Sequence, residues 1–364
     1  MNRNDITPNR VWACMVLVLA AAISITAQER GTLRLTEESA AELHSLEPTR
    51  RERVAEVMPA INMVSISTSK KSVMLSGIAN IVREEAFGVQ IGGLYNHVGG
   101  MGRGLAIAGL GNTTLGSYYG TQIGGLSNYN ADDSKGLMIG GLSNVVGGGM
   151  DGMQLAGLAN IAKEAKGVQL AGVANVAKEV CGLQLAGVVN VAKRVRGVQF
   201  ASVLNVAEES DFPIGLVNIV KSGTMGVAIT SDIVGNRLVS FRSGGRYTYG
   251  IVGVGCNQHI THKLVAEAGY GIHIPVCEWL QVNNEMKATA PVNTSFVNFS
   301  YLLAPSVTLW KHCNLFGGPS LNYNMAYTLE AERLWPRDVL WGKVDGDLRQ
   351  CVYIGYQIGV QYVF

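Results

Sequence analysis

Charge is scarce in this chain and nearly cancels: Asp, Glu, Lys and Arg make up 15% of its 364 residues, and the formal net charge is +2. That balance supplies no electrostatic footprint for nucleic acid and none for a strongly acidic partner. Apolar runs of membrane length are missing after the first 30 residues, which does not suit a helical membrane protein. Cysteine is sparse and irregularly spaced. Past the N-terminal segment there remain Cys181, Cys256, Cys277, Cys313 and Cys351, an odd set that is no disulfide framework. Cys181 stands at a variable repeat position and is expected simply to pack.

Motifs of catalysis are missing too. There is no G-x-S-x-G elbow and no H-E-x-x-H pair. The repeats hold their acids on variable turns, so they offer no paired-carboxylate cleft for glycan hydrolysis. Cys256, His259 and His262 have a spacing that invites a metal, but residues three apart on a strand face opposite ways. The glycine run Gly99-Gly100-Met101-Gly102-Arg103-Gly104 lacks the Lys-Ser/Thr of a phosphate loop and the helix that follows one. Asp345 and Asp347 flank Gly346 and read as a turn rather than a calcium loop. No enzyme activity, cofactor or metal site is expected.

Glycine, by contrast, is plentiful at 45 residues and follows no Gly-X-Y period, which excludes collagen. Its distribution is governed by a repeat. Asparagines recur at Asn80, Asn96, Asn112, Asn128, Asn144, Asn160, Asn175, Asn190, Asn205 and Asn218, with intervals of 16 five times, 15 three times and then 13. A glycine stands three residues before nearly every one (Gly157, Gly172 and Gly187 among them), with Ser202 as the exception. A glutamine stands six before several, as at Gln154, Gln169, Gln184 and Gln199. The consensus is G-V-Q-L-A-G-V-x-N-V-A-K-x-x.

Glycines at this density oppose helix, at roughly 1 kcal/mol each relative to alanine. The strand alternation of Val168, Leu170, Val173 and Val176 breaks at Ala171-Gly172, so each unit reads as two short strands joined at a glycine corner. Coils of 15–16 residues with short faces are expected to stack as a β-solenoid over 71–221. Stacking at strand spacing places Asn over Asn and Gln over Gln, each amide bonding the next. The rival reading makes each unit one barrel strand plus a turn, which would give a pore or transport protein.

Charged pairs such as Lys163-Glu164, Lys178-Glu179, Lys193-Arg194 and Glu208-Glu209 recur at one place in the coil and read as a solvated edge. Tyr118-Tyr119 and Tyr129–Asp133 read as larger loops offering exposed tyrosines to a partner.

The flanks differ from the array. Arg3 and Arg10 precede an apolar stretch from Val11 to Ile25, then Thr26-Ala27-Gln28, the pattern of a secretory signal over 1–27. Residues 28–70 are expected to form a helical cap or linker, with Val54, Val57, Met58 and Ile61 on one helical stripe and a weaker stretch around Glu37–Leu46.

From 222 to 364 the composition shifts: 18 of the 26 aromatic residues lie there. Period-two alternation marks strands, clearest at the end, where Tyr356, Ile358, Val360, Tyr362 and Phe364 share one face and are expected to meet lipid. Roughly eight strands fit, as an antiparallel β-barrel or a soluble sheet. Thr328–Leu348 reads as a long loop.

The repeated segments Gly167–Ala177 and Gly182–Ala192 resemble the short repeat of certain Gram-negative surface-repeat proteins, some loosely labelled caveolin-like. The closing Tyr-Val-Phe resembles the C-terminal signature of outer-membrane β-barrel proteins. These resemblances imply export, an outer-membrane or cell-surface location, and a non-enzymatic role in interaction or adhesion. The implied partners are outer-membrane lipid and a protein or glycan ligand that the repeat does not identify.

Overall fold

Backbone spacing governs the first half of the molecule. The computed structural model describes residues 60–259, 264–292, 296–327 and 338–364, and every regular element among them is a strand. The expected signal segment and most of the expected helical cap lie outside the described residues. Ala60 and Ile61 do not: they open strand β1 (Ala60–Ser67), which stacks in parallel on β2 (Val73–Val82). The array therefore already includes 60–67, which meets β2 as one more coil and not as a helix.

Each later coil contributes one longer and one shorter strand. The longer are β3 (Ala86–Gly92), β5 (Gly102–Ala108), β7 (Tyr118–Gly124), β9 (Ser134–Gly140), β11 (Gly149–Ala156), β13 (Glu164–Ala171), β15 (Glu179–Ala186), β17 (Arg194–Ala201) and β19 (Glu209–Ile214). The shorter are β4 (Tyr95–Val98), β6 (Gly111–Thr114), β8 (Ser127–Asn130), β10 (Ser143–Val146), β12 (Ala159–Ile161), β14 (Ala174–Val176), β16 (Val189–Val191), β18 (Leu204–Ala207) and β20 (Val217–Val220). Every strand pairs in parallel with its counterpart one coil away, in the register of the repeat: Gln169 on Gln184, Asn175 on Asn190. This is a β-solenoid of about ten coils. The rival reading, in which the units are barrel strands, is contradicted by this parallel stacking.

Two glycine columns keep the coils close. Eight glycines from Gly88 to Gly197 have φ between 114° and 139°, a region that side chains rarely adopt. A Cβ on Gly167 would also lie 2.2 Å from the carbonyl oxygen of Gly152 in the coil before. At the corner, Cβ atoms on Gly157, Gly172 and Gly187 would each lie 2.2 Å from the carbonyl of the preceding corner glycine.

Inside the coils a polar ladder runs from end to end. Nine amide–amide bonds of 2.7–3.0 Å join the ten repeat asparagines, each Nδ2 donating to Oδ1 of the next. From Asn96 to Asn205 the second Nδ2 proton goes to a main-chain carbonyl of the following coil, for instance Leu170 O for Asn160 and Leu185 O for Asn175, both at 2.7 Å. Those carbonyls accept only, so they fix which way each amide points. All ten asparagines are buried, so both ends of the ladder need partners. Ser76 Oγ donates to Asn80 Oδ1 at 2.6 Å, and Asn218 Nδ2 donates to Gly215 O and to Ser243 O.

A second ladder is shorter and runs the other way: Gln199 donates to Gln184, Gln184 to Gln169 and Gln169 to Gln154, at 2.7–3.0 Å. Met138 interrupts it at the register position of Gln154.

Three expectations about side chains are corrected. Tyr118 is buried, because it fills the space left by Gly102 in the coil below, where a Cβ would lie 2.5 Å from the tyrosine ring. Burial pushes its hydroxyl pKa up. Tyr129 and Asn130 belong to β8 rather than to a loop, and Asn130 is buried against Gln122. Cys181 points outward and is exposed instead of packing. The charged pairs are exposed along their edge as expected.

Val220 leads within a few residues into an antiparallel sheet of β21 (Thr224–Asp232), β22 (Asn236–Gly244), β23 (Thr248–Asn257), β24 (Leu264–Cys277), β25 (Leu280–Pro291), β26 (Phe296–Trp310), β27 (Cys313–Ala326), β28 (Trp341–Asp345) and β29 (Leu348–Val363). β21 pairs with β29, so eight of these close into a barrel, while β28 pairs with the start of β29 alone. The expected loop over 328–348 is thus partly strand. Its residues 328–337 lie outside the described residues, and Gly346, at φ 60°, turns a tight hairpin between β28 and β29. Solenoid and barrel belong to one compact unit, Glu56–Phe364.

Replacing Asn175 with Ala leaves Asn160 Nδ2, Asn190 Oδ1 and Leu185 O with a lost partner each, an expected cost of about 1–3 kcal/mol. Gly167→Ala meets both a positive φ and a backbone clash, and is expected to cost at least about 1 kcal/mol. Urea unfolding followed by far-ultraviolet circular dichroism reads both, and an unchanged midpoint for Asn175→Ala would contradict the structural role of the ladder.

Candidate functional site

The barrel wall presents large apolar side chains on its outer face, where a soluble barrel would be polar. On β29 the side chains of Ile354, Tyr356, Ile358, Val360 and Tyr362 are exposed on the outside, as is Phe364 just beyond the strand, while Gly355, Gln357, Gly359 and Gln361 are buried within. The five residues expected to share an apolar outer face do so. The pattern continues around the wall: Leu264, Ile272 and Ile274 on β24, Phe299, Tyr301 and Leu303 on β26, and Leu321 on β27 all point outward. Large exposed aromatics sit towards both rims, Trp279 and Trp310 at one and Tyr327 and Trp341 at the other.

The lumen is filled, by an apolar cluster of Ala228, Leu302, Ala304 and Phe316 and by a lattice of polar and charged side chains. From β25 alone, Asn283, Glu285, Lys287 and Thr289 point inward and are buried. Arg242 Nη1 lies 2.7 Å from Glu285 Oε1, and Lys287 Nζ lies 3.2 Å from Glu267 and 3.4 Å from Glu285. Two cations and two carboxylates thus cancel, and burying them is tolerable because each is paired. Tyr249 Oη donates to Glu285 at 2.8 Å, and Lys287 donates to Gln357. The Arg242 guanidinium lies over the Phe316 ring at 4.2 Å, while His273 stacks on Tyr249 at 4.1 Å. These groups span the barrel from β22 to β29 and plug it.

The plug was missed in the sequence. Its one readable signal was the run Asn283, Glu285, Lys287, Thr289, a polar stripe at period two. Its partners come from strands far apart in sequence, so no local spacing pointed to them.

The remaining candidates do not converge. Cys256 is exposed on the wall, His259 is exposed in the turn beyond it, and His262 lies outside the described residues. Among the described residues no cluster of His, Cys, Asp and Glu has the geometry to hold a metal ion.

The solenoid reaches the barrel at one rim. Phe212 stacks on Tyr247 at 5.4 Å, Thr248 Oγ1 donates to Pro213 O at 2.7 Å, and the Asn218 N–H donates to Ser243 Oγ at 2.9 Å. At this rim the hairpins β22–β23, β24–β25 and β26–β27 are joined by 245–247, 278–279 and 311–312. At the far rim the connections are mostly longer: 258–263, 292–295, and 327–340 leading into the β28 hairpin.

No protein-family model matches the chain, and no curated protein does. Among solved structures, a designed barrel from "De novo design of transmembrane beta-barrels" is similar to it at 16% identity and a TM-score of 0.25, covering 39% of this chain and 96% of that one. A similarity that distant adds nothing to the geometry.

Arg242→Ala strands Glu285 in the lumen with one cationic partner fewer, an expected loss of about 3–5 kcal/mol. The double substitution Arg242→Met with Glu285→Gln leaves the Lys287–Glu267 pair neutral and is expected to recover most of that loss. Thermal unfolding of the purified variants measures both, and equal damage from single and double substitutions would contradict the charge-pairing account.

Proposed function

We propose that this is a non-enzymatic, integral outer-membrane-type β-barrel protein whose barrel anchors a rigid solenoid that presents its surface for interaction. The observation that carries the reading is the inverted wall: large apolar side chains outside, a paired and neutral polar lattice inside. Such a surface is matched to hydrocarbon. An eight-stranded barrel is wide enough only for side chains to fill it, so conduction is not its task.

Barrels of this class have short turns on the periplasmic side and longer loops outside. The solenoid joins the rim with the short hairpin turns, which favours a periplasmic position for the repeats over display at the outer surface. Adhesion to other cells is then replaced by interaction within the envelope, with a protein or glycan partner.

Three measurements test the reading. The protein is expected to stay in the outer-membrane fraction through a carbonate wash, to run with heat-modifiable mobility, and to give no channel conductance in planar bilayers. Release by carbonate would overturn the anchor, and steady conductance would overturn the plugged lumen. Sidedness is read from a variant that keeps Cys181 as its single cysteine, since that thiol is exposed on the solenoid. A membrane-impermeant maleimide is expected to label it only after the outer membrane is permeabilised. Labelling in intact cells would place the repeats outside.

A further inference from the structure

The solenoid is itself two-sided. The residue two before each ladder asparagine is aliphatic in all ten coils, from Ile78 to Leu216. The first nine are 39–49% exposed and form one ridge along the stack. A parallel column, five before the asparagine in most coils, is also apolar, running from Ile91 through Ile139 and Leu170 to Phe200. Between them lies the corner glycine column, held at backbone level where a Cβ on Gly157, Gly172 or Gly187 would meet the carbonyl of the coil before, with Ser202 as the exception. Over the middle coils a shallow groove of ≈ 540 Å³ follows the glycine column, walled by the second apolar column from Ile139 to Phe200, with the exposed ridge on the other side of the glycines. At about 4.8 Å per coil the exposed ridge extends for about 40 Å. The charged pairs lie at other corners.

A ridge of stacked aliphatics has a structural use, since each residue covers part of the next. That use does not require nearly every coil to be apolar in both columns while nearly half of each ridge residue stays open to solvent, and exposed apolar surface of this extent marks an interaction site. Its position indicates the occupant. The last ridge residue, Leu216, shares a recess with Ala268, Tyr270, Met286 and Phe299 on the outer wall of the barrel. The ridge therefore runs into the surface assigned to lipid.

We propose that this glycine-floored edge is a lipid-binding track that takes phospholipid acyl chains from the leaflet around the barrel. The proposal rests on the reading of the barrel as membrane-spanning. The test uses the full chain in vesicles of phosphatidylethanolamine and phosphatidylglycerol, doped with a phosphatidylcholine that carries a photoreactive diazirine on its acyl chain. Adducts are mapped by mass spectrometry, with circular dichroism and heat-modifiable mobility reporting that variants stay folded.

Adducts are expected on outward β29 residues and on the ridge. The exposed triple substitution L126N/L142N/L158N should lose the ridge adducts there and keep those on β29. Adducts on β29 with none on the ridge would overturn the track and leave the membrane reading intact. Ridge adducts unchanged in the triple variant would overturn it as well. In a parallel sample labelled with photo-leucine, ridge-to-ridge crosslinks between two copies, with no lipid adducts on the ridge, would replace the track with self-association. No adducts on either surface would overturn the membrane reading and the track together.

Discussion

Parallel stacking at strand spacing makes every residue of the solenoid the neighbour of its own copy, and the repeat is built from residues that tolerate that condition. Asparagine does so because its amide is self-complementary: one proton and the oxygen serve the ladder, and the second proton satisfies a carbonyl of the next coil. Glycine does so at the two tight corners because the carbonyl of the coil before occupies the place of a Cβ. Aliphatic side chains do so by lying on one another. A charge buried in the same way would face a like charge in each adjacent coil, and charged pairs accordingly occur at an outward edge.

The junction with the barrel follows from the same ladder. A buried stack cannot end on an unsatisfied amide, and the last asparagine closes on Ser243 of the barrel rather than on water. With Phe212 on Tyr247 and Thr248 on Pro213, the final coil is fastened by hydrogen bonds and ring contact, and few residues separate it from the first barrel strand. Position and orientation of the array are thereby tied to those of the barrel. In the proposed reading this tie fixes which side of the membrane the repeats occupy and carries their apolar edge to the lipid-facing wall.

Local periodicity made much of this legible. The asparagine and glutamine intervals gave register and ladders, the broken parity at Ala171-Gly172 separated a coil from a barrel strand, and the alternation from Val352 to Phe364 gave the sense of the wall. What stayed hidden was non-local or compensated between coils. Tyr118 read as a loop residue because its space comes from Gly102, sixteen positions earlier. Cys181 read as packed, but the alternation of β15 turns Val180 inward and Cys181 outward. The Arg242–Glu285–Lys287–Glu267 lattice joins separate strands, so no stretch of chain announces it. The place of β1 in the array was obscured because Ser65, not asparagine, stands in register with Asn80.

The central claim is that the outward face of the barrel is solvated by hydrocarbon and its inward face by the polar lattice. A nitroxide scan along β29 in lipid vesicles tests it directly, comparing collision with oxygen, which partitions into lipid, against a water-soluble nickel chelate. The account predicts a period of two, with oxygen favoured at Ile354, Tyr356, Ile358 and Val360 and low collision with both reagents at Gly355, Gln357 and Gly359. High nickel accessibility across the outward positions would mean that water bathes the wall, and the membrane-anchored account would be wrong.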